Sequence, residues 1–110
     1  MSIADVTVVD APHRRVTLEE VRAHREEILR IAERNKVSNV RVFGSVARGE
    51  ADEDSDLDLL VDPGPHCSLF DLTGFALDVE GLLNVFTQVA TPNGLKARIR
   101  DRVLSQAIAL

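Results

Sequence analysis

The chain has 110 residues, of which 45% are hydrophobic and 28% are charged, and its formal net charge is −5. A chain of this length fits one domain with one compact core, and the composition is typical of a globular protein rather than a disordered one. The negative net charge argues against a nucleic-acid binder that works through a broad basic surface.

The N-terminal part is predicted to contain a tail and one helix. Residues 1–16 mix short apolar pieces with proline and basic residues, so we interpret them as a tail or a peripheral strand and assign one domain to residues 17–110. Thr17 and Glu20 form a capping box, which marks a helix start. The helix is predicted from about Leu18 to Asn35, with these core-facing positions: Leu18, Val21, Ile28, Ile31 and Ala32.

Two short strands follow, separated by a polar segment. Val40–Phe43 is β-branched and aromatic and ends at Gly44, where a short helical turn can begin. The second strand is predicted for Asp56–Val61, because the prolines within residues 62–65 interrupt a sheet. Residues 44–55 between the strands are too polar to be expected in the core.

The C-terminal half is predicted to contain two helices and a third strand. Ser68 and Asp71 cap the first of these helices, with core-facing positions Leu69, Leu72, Ala76, Val79 and Leu83. Val85–Ala90 suits a strand. Thr91 then caps a final helix with Pro92 at its first position, and its core-facing residues are Leu95, Ile99, Val103, Ala107 and Ile108.

This order of elements predicts an α/β fold in two layers, with a small mixed sheet of three or more strands covered by helices. The single cysteine, Cys67, excludes an internal disulfide or a cysteine zinc site and favours a reducing, cytoplasmic setting. We expect its thiol to be buried or inert. No stretch approaches 18 uncharged apolar residues, so no membrane span is expected. The three histidines lack a metal-binding spacing: His13, His24 and His66.

The segment from Gly44 to Asp58 contains the pattern that indicates chemistry. Gly44 and Ser45 lie where a strand ends, so backbone N–H groups and the serine hydroxyl are expected to converge on a phosphate. Asp56 and Asp58 are two residues apart on a predicted strand, which places both carboxylates on one face. Such a pair suits magnesium, which prefers one or two protein carboxylates together with water and phosphate oxygens.

Two other interpretations of this segment fail on residue identity. A calcium loop beginning at Asp52 would need glycine and glutamate where Leu57 and Pro63 stand. A Walker-type phosphate loop would need lysine and serine or threonine where Glu50 and Ala51 stand.

The segment GSVARGEADEDSDLDLLVD resembles the G-S-x-A-R-G and S-D-x-D signature of the minimal nucleotidyltransferases, small members of the DNA polymerase β-like nucleotidyltransferase superfamily. The resemblance covers nearly the whole chain from Thr17. It implies that Gly44 and Ser45 bind the β- and γ-phosphates of a nucleoside triphosphate such as ATP. It also implies that Asp56 and Asp58 coordinate Mg²⁺. Arg48 either neutralises phosphate charge or closes the turn on the surface.

The resemblance also implies a protein partner. Many such domains are encoded beside a ribonuclease toxin of the HEPN type and act as its antitoxin, some by transferring AMP onto a tyrosine of the toxin. The expected partners are therefore a HEPN-type toxin and a nucleoside triphosphate, within a homo- or hetero-oligomer. The basic residues of the last helix are candidates for contact with partner or nucleotide: Lys96, Arg98, Arg100 and Arg102.

The chain departs from the family pattern at one position. The superfamily usually places a third acidic residue on the next strand, and alignment of the Thr91-Pro92 ending puts Gln88 there. An uncharged amide cannot act as a general base and is a poor magnesium ligand beside a carboxylate. Two hypotheses remain: an active AMP-transferring enzyme, or a degenerate nucleotidyltransferase fold that neutralises its toxin by binding.

Overall fold

The computed structural model describes residues 14–110, so most of the predicted tail at residues 1–16 lies outside the described residues. The described part of the chain forms, in order, α1 (Leu18–Ala23), α2 (Arg25–Arg34), β1 (Val37–Phe43), α3 (Gly44–Arg48), β2 (Leu57–Pro63), α4 (Leu69–Leu83), β3 (Thr87–Ala90), a 3₁₀ turn (Pro92–Gly94), α5 (Ala97–Gln106) and β4 (Ile108–Ala109).

The strands form a four-stranded mixed sheet in the order β3-β2-β1-β4. β1 is antiparallel to both β2 and β4, whereas β2 is parallel to β3. The helix α4 makes the connection between β2 and β3, as a parallel pair requires. This arrangement confirms the α/β fold with a mixed sheet and adds the strand order, which the sequence pattern did not reveal.

The main core lies between one face of the sheet and the helices α2 and α4, which also contact each other. Leu57, Leu59 and Val61 of β2 are fully buried in this core. Because side chains alternate across a strand, Asp58 points to the opposite face. Leu60 on that face is also buried but does not join the main core cluster. The aspartate thus lies on the sheet face away from α2 and α4.

The first predicted helix is interrupted at His24. Its backbone angles are φ −101° and ψ 18°, and the chain divides there into α1 and α2. The ring Nδ1 of His24 donates to the carbonyl of Glu20, the group that the backbone N–H of His24 would bond in a continuous helix. The predicted core positions are otherwise correct: Val21, Ile28, Ile31 and Ala32 are buried, and Leu18 packs against the core.

The polar segment between β1 and β2 contributes to the core, contrary to the prediction. Val46 and Ala51 are both buried within it. The strand predictions were also too short, since β1 begins at Val37 and pairs there with Pro63 at the end of β2. A proline at the last position removes only one backbone donor from the ladder, and the neighbouring Gly64 N–H donates to the carbonyl of Lys36.

The C-terminal predictions need three corrections. The third strand begins at Thr87 rather than Val85, so β3 is shorter than predicted. In α4 the capping box of Ser68 and Asp71 is present, but Leu69 is 77% exposed and Phe75, which was not predicted, is fully buried. The last helix begins at Ala97 rather than Pro92, because the chain is extended at residues 95 and 96 and Thr91 caps a 3₁₀ turn instead. Its predicted core residues are only half-buried, and Ile108 belongs to β4.

Candidate active site

The Gly44 backbone lies directly against the carboxylate of Asp58. The antiparallel register pairs Phe43 at the end of β1 with Asp58 in β2, which brings the next residue, Gly44, beside the aspartate. Gly44 has φ +72°, a conformation that favours glycine, and a Cβ atom there would overlap Oδ2 of Asp58. The glycine therefore serves both the turn and the close approach of the carboxylate.

The short helix α3 begins at Gly44, as the sequence predicted for a turn at this point. Ser45 is half-buried in its first turn, where backbone N–H groups lack partners within the helix. Gly49 ends the helix in the left-handed conformation at φ +74°. The strand-to-helix transition thus places Gly44 and Ser45 at the same end of the sheet as Asp58.

Asp56 and Asp58 flank the buried Leu57 and are both half-buried. Asp56 lies just before β2 rather than within it. Burial of the Asp58 carboxyl, followed by the negative charge of Asp56, raises the pKa of Asp58 from 3.8 to about 6, and the nearby Arg48 charge opposes this increase. The charge of Asp56 therefore disfavours ionisation of the Asp58 carboxyl.

Arg48 only partly balances this negative charge. Its guanidinium Nε donates to Oε1 of Glu50 at 2.7 Å, so the arginine is shared with another carboxylate. A divalent cation between Asp56 and Asp58 would offset the remaining repulsion. Among residues 14–110, no group of three or more histidine, cysteine or acidic side chains is arranged to hold a metal. Two carboxylates still suffice for Mg²⁺, which takes its other ligands from water and phosphate.

Gln88 lies beside the aspartates on β3. The parallel register pairs Gln88 with Asp58, and Gln88 Nε2 donates to Oδ2 of Asp56 at 2.6 Å. The structure thus places an amide at the position that the sequence comparison suggested. The acidic residues of the preceding helix are engaged elsewhere: Asp78 accepts from Arg34 and Asn35, and Glu80 from the Thr87 backbone.

A cavity of about 420 Å³ adjoins the glycine turn. It is lined by Phe43, Gly44, Arg48, Arg102, Val103 and Gln106. Of the four basic candidates on the last helix, Arg102 lines this cavity, where α5 contacts α3. Arg100 instead donates to the carbonyls of Pro92 and Leu95 and so holds the 3₁₀ turn.

His24 and Cys67 lie outside this site. His24 bonds the backbone of α1, and His13 lies outside the described residues. Cys67 is half-buried, and burial raises the pKa of its thiol, which agrees with the expected low reactivity. Across residues 14–110, none of the helices is long and apolar enough to cross a bilayer.

Comparison with known proteins identifies the family. The nucleotidyltransferase domain family matches residues 14–110, which is most of the chain. The chain belongs to the nucleotidyltransferase family. The match extends over every described residue, whereas the predicted domain boundary at residue 17 stays a prediction. The nucleotidyltransferase resemblance stated from the Gly44 to Asp58 signature is confirmed.

Individual nucleotidyltransferase relatives agree with this assignment. The protein adenylyltransferase MntA of Thermococcus cleftensis is 37% identical over 97 residues, which cover 84% of this chain and 95% of that protein. A solved structure described as a minimal nucleotidyltransferase has 48% identity and a TM-score of 0.78, covering 86% of this chain and 97% of that one.

A more distant structural match shows similarity of the fold alone. A complex of the tri-AMPylated HEPN toxin of Shewanella oneidensis with an MNT antitoxin contains a chain that matches with a TM-score of 0.60 and 14% identity. The match covers 80% of this chain and 69% of that one.

Proposed function

We propose that this protein is a Mg²⁺-dependent nucleotidyltransferase that transfers AMP from ATP to a hydroxyl group of a HEPN-type toxin and thereby acts as its antitoxin in the cytoplasm. The observation that carries the proposal is the contact between the Gly44 backbone and the Asp58 carboxylate, with Asp56 two residues away. This contact joins a phosphate-binding turn to a pair of potential metal ligands.

Each site residue has a role in this proposal. Gly44 and Ser45 bind the β- and γ-phosphates, because the glycine lets a phosphate approach the main chain closely. Arg48 adds positive charge at the same cavity. Asp56 and Asp58 hold Mg²⁺, which when bound neutralises phosphate charge and orients the α-phosphate.

The proposed reaction is a displacement at the α-phosphorus of ATP. The acceptor hydroxyl oxygen forms a bond to the α-phosphorus while the bond from that phosphorus to the β-phosphate oxygen breaks. Pyrophosphate leaves, and the hydroxyl proton passes to solvent. Gln88 cannot take that proton, because a neutral amide is not a base at physiological pH. The chain's residues thus contribute binding and orientation rather than proton transfer.

The relatives support a protein acceptor. The Thermococcus cleftensis relative is named a protein adenylyltransferase, and the Shewanella oneidensis complex pairs an MNT antitoxin with an AMPylated HEPN toxin. A toxin hydroxyl that docks at the exposed site would supply the acceptor without any further domain in this chain.

The test is AMP transfer to a HEPN-type toxin. The full chain, the toxin, ATP and Mg²⁺ are incubated together, and the intact mass of the toxin is measured. We expect AMP adducts with the wild type and none with the Asp56→Asn/Asp58→Asn variant. Glu53→Gln is the matched control, because it removes an exposed carboxylate from the adjacent loop. Equal adducts from the wild type and the double variant would refute the proposal.

The second candidate function is neutralisation by binding alone. The observation that favours it is the Gln88 amide beside Asp58, where a general base would otherwise contribute about 10²- to 10⁴-fold in rate. The test is growth rescue of cells that express the toxin. If the Asp56→Asn/Asp58→Asn variant rescues growth as well as the wild type, binding suffices; loss of rescue supports the enzyme.

A further inference from the structure

The contact between Gln88 and Asp56 links two neighbouring strands at the candidate metal site. The Gln88 side chain lies on β3, and its Nε2 lies 2.6 Å from Oδ2 of Asp56, just before β2. Gln88 itself is exposed, so the core does not require this side chain. The hydrogen bond is therefore the main contribution that the structure assigns to it.

The chemistry of the two groups fixes the direction of this bond. An ionised carboxylate only accepts hydrogen bonds, whereas an amide has two N–H donors and one acceptor oxygen. If the amide were reversed, its oxygen would face the carboxylate oxygen at 2.6 Å and repel it. Gln88 therefore donates to Asp56, and the ionised acceptor strengthens the bond.

A donated hydrogen bond orients a metal ligand without adding charge. With one oxygen of Asp56 held by Gln88, the carboxylate keeps a defined rotation relative to Asp58. Side chains that hydrogen-bond to a metal ligand fix its orientation, and their removal typically weakens metal binding by about 10- to 100-fold.

The negative charge at the site also limits the number of divalent cations that it can bind. Asp56 and Asp58 together carry two negative charges, which one divalent cation balances. Within residues 14–110, no third acidic side chain completes a metal-binding group with them. A second divalent ion would have to share the same two carboxylates with the first and would be repelled by it.

We propose that Gln88 is a positioning residue that orients Asp56 through its amide and restricts the nucleotide-free protein to one divalent cation. This inference rests on the proposed function, because it takes Asp56 and Asp58 as the metal ligands. It assigns the amide a role in metal binding, whereas the binding-only hypothesis treats it as a lost carboxylate.

The experiment counts bound Mn²⁺, which suits the same oxygen sites as Mg²⁺. Free Mn²⁺ is measured by EPR during titration of the full-length, nucleotide-free chain. We expect one ion per wild-type chain. We expect Gln88→Ala to bind one ion about ten-fold more weakly. Gln88→Glu adds a third carboxylate and should bind the first ion more tightly and take up a second.

The controls separate orientation from folding. Asn93→Ala removes another exposed amide, on the 3₁₀ turn, and should bind Mn²⁺ as the wild type does. Thermal unfolding without metal should be the same for Gln88→Ala and the wild type. Two ions per wild-type chain, unchanged affinity in Gln88→Ala, or a Gln88→Glu titration identical to wild type would overturn the inference. A nucleotide-free wild type that binds no Mn²⁺ would also overturn the inference. The proposed function is tested separately by AMP transfer with ATP present, because phosphate then supplies further ligands to the metal.

Discussion

The Gly44 backbone, directly after β1, lies against the Asp58 carboxylate of β2, so close that no side chain fits at residue 44. This contact joins the glycine turn to the aspartates of the candidate site. It depends on the pairing of β1 with β2 and on the absence of a side chain at residue 44.

Gly44→Ala should weaken nucleotide binding. The added methyl group would overlap Oδ2 of Asp58 and would also strain a backbone at φ +72°. We expect at least a ten-fold loss of affinity for a fluorescent ATP analogue and a loss of about 1–2 kcal/mol in the free energy of unfolding.

Gly49→Ala is the matched control for strain. Gly49 has φ +74°, but a Cβ atom there would meet open space. Gly44→Ala should lose more stability than Gly49→Ala in chemical denaturation, because it adds an overlap to the same backbone strain, and Gly49→Ala should keep its affinity for nucleotide. Equal losses of affinity in both variants would mean that backbone strain alone explains the effect.

In the metal-free protein, the contribution of Asp58 to stability should decrease as the pH rises. The folded-state pKa of Asp58 is raised to about 6 from 3.8, so the native state binds this proton more tightly than the unfolded state does. Between these two values, rising pH therefore favours unfolding. Asp58→Asn should be more stable than the wild type at pH 8 by about 1 kcal/mol, a value reduced for solvent screening of this half-exposed group.

The measurement for this prediction is denaturant unfolding with EDTA between pH 3.5 and pH 8. The difference between wild type and Asp58→Asn should disappear at the lowest pH, where the carboxyl is protonated in both states. A stability difference that does not change with pH would contradict the assigned ionisation.

Arg102→Ala should weaken ATP binding without destabilising the fold. Arg102 is exposed on α5 and lines the same cavity as Gly44 and Arg48. Loss of one charged hydrogen bond to a phosphate would lower affinity about ten-fold. Arg98→Ala, which removes an exposed arginine from the same helix, should bind ATP normally in calorimetry. Identical affinities for the two variants would exclude Arg102 from the nucleotide site.

Two phenylalanines of α4 should respond very differently to truncation. Phe75 is fully buried in the core, whereas Phe70 is 88% exposed. Phe75→Ala should reduce the free energy of unfolding by about 3–5 kcal/mol, and Phe70→Ala by less than about 0.5 kcal/mol. Urea denaturation monitored by circular dichroism gives both values, and comparable losses would show that the packing of α4 differs from the structure.

The sequence predicted those features that depend on local pattern. The strands around the motif follow from β-branched residues, and the capping residue Ser68 follows from its spacing to Asp71. These predictions need only neighbouring residues, and the structure agrees with them apart from the exact strand ends. The shared face of Asp56 and Asp58 stays a prediction, because β2 begins after Asp56 and the strand period does not reach it.

The features that the sequence did not predict depend on tertiary contacts, or on a side chain that hydrogen-bonds a backbone carbonyl of its own helix. His24 divides a helix because its ring takes the Glu20 carbonyl, which periodicity does not reveal. Arg102 joins the cavity only because α5 packs against α3. The bond from Gln88 to Asp56 needs the parallel register of β2 and β3, although alignment did suggest the position of Gln88.

The register between β1 and β2 determines how far the glycine turn lies from the aspartates. Phe43 and Asp58 face each other across the ladder, while the loop that joins the strands has an exposed tip at Glu53. A longer or shorter loop at this tip would therefore leave the geometry of the candidate site unchanged. Evolution is free to vary the loop, for example to fit different protein surfaces, as long as the two strands stay aligned.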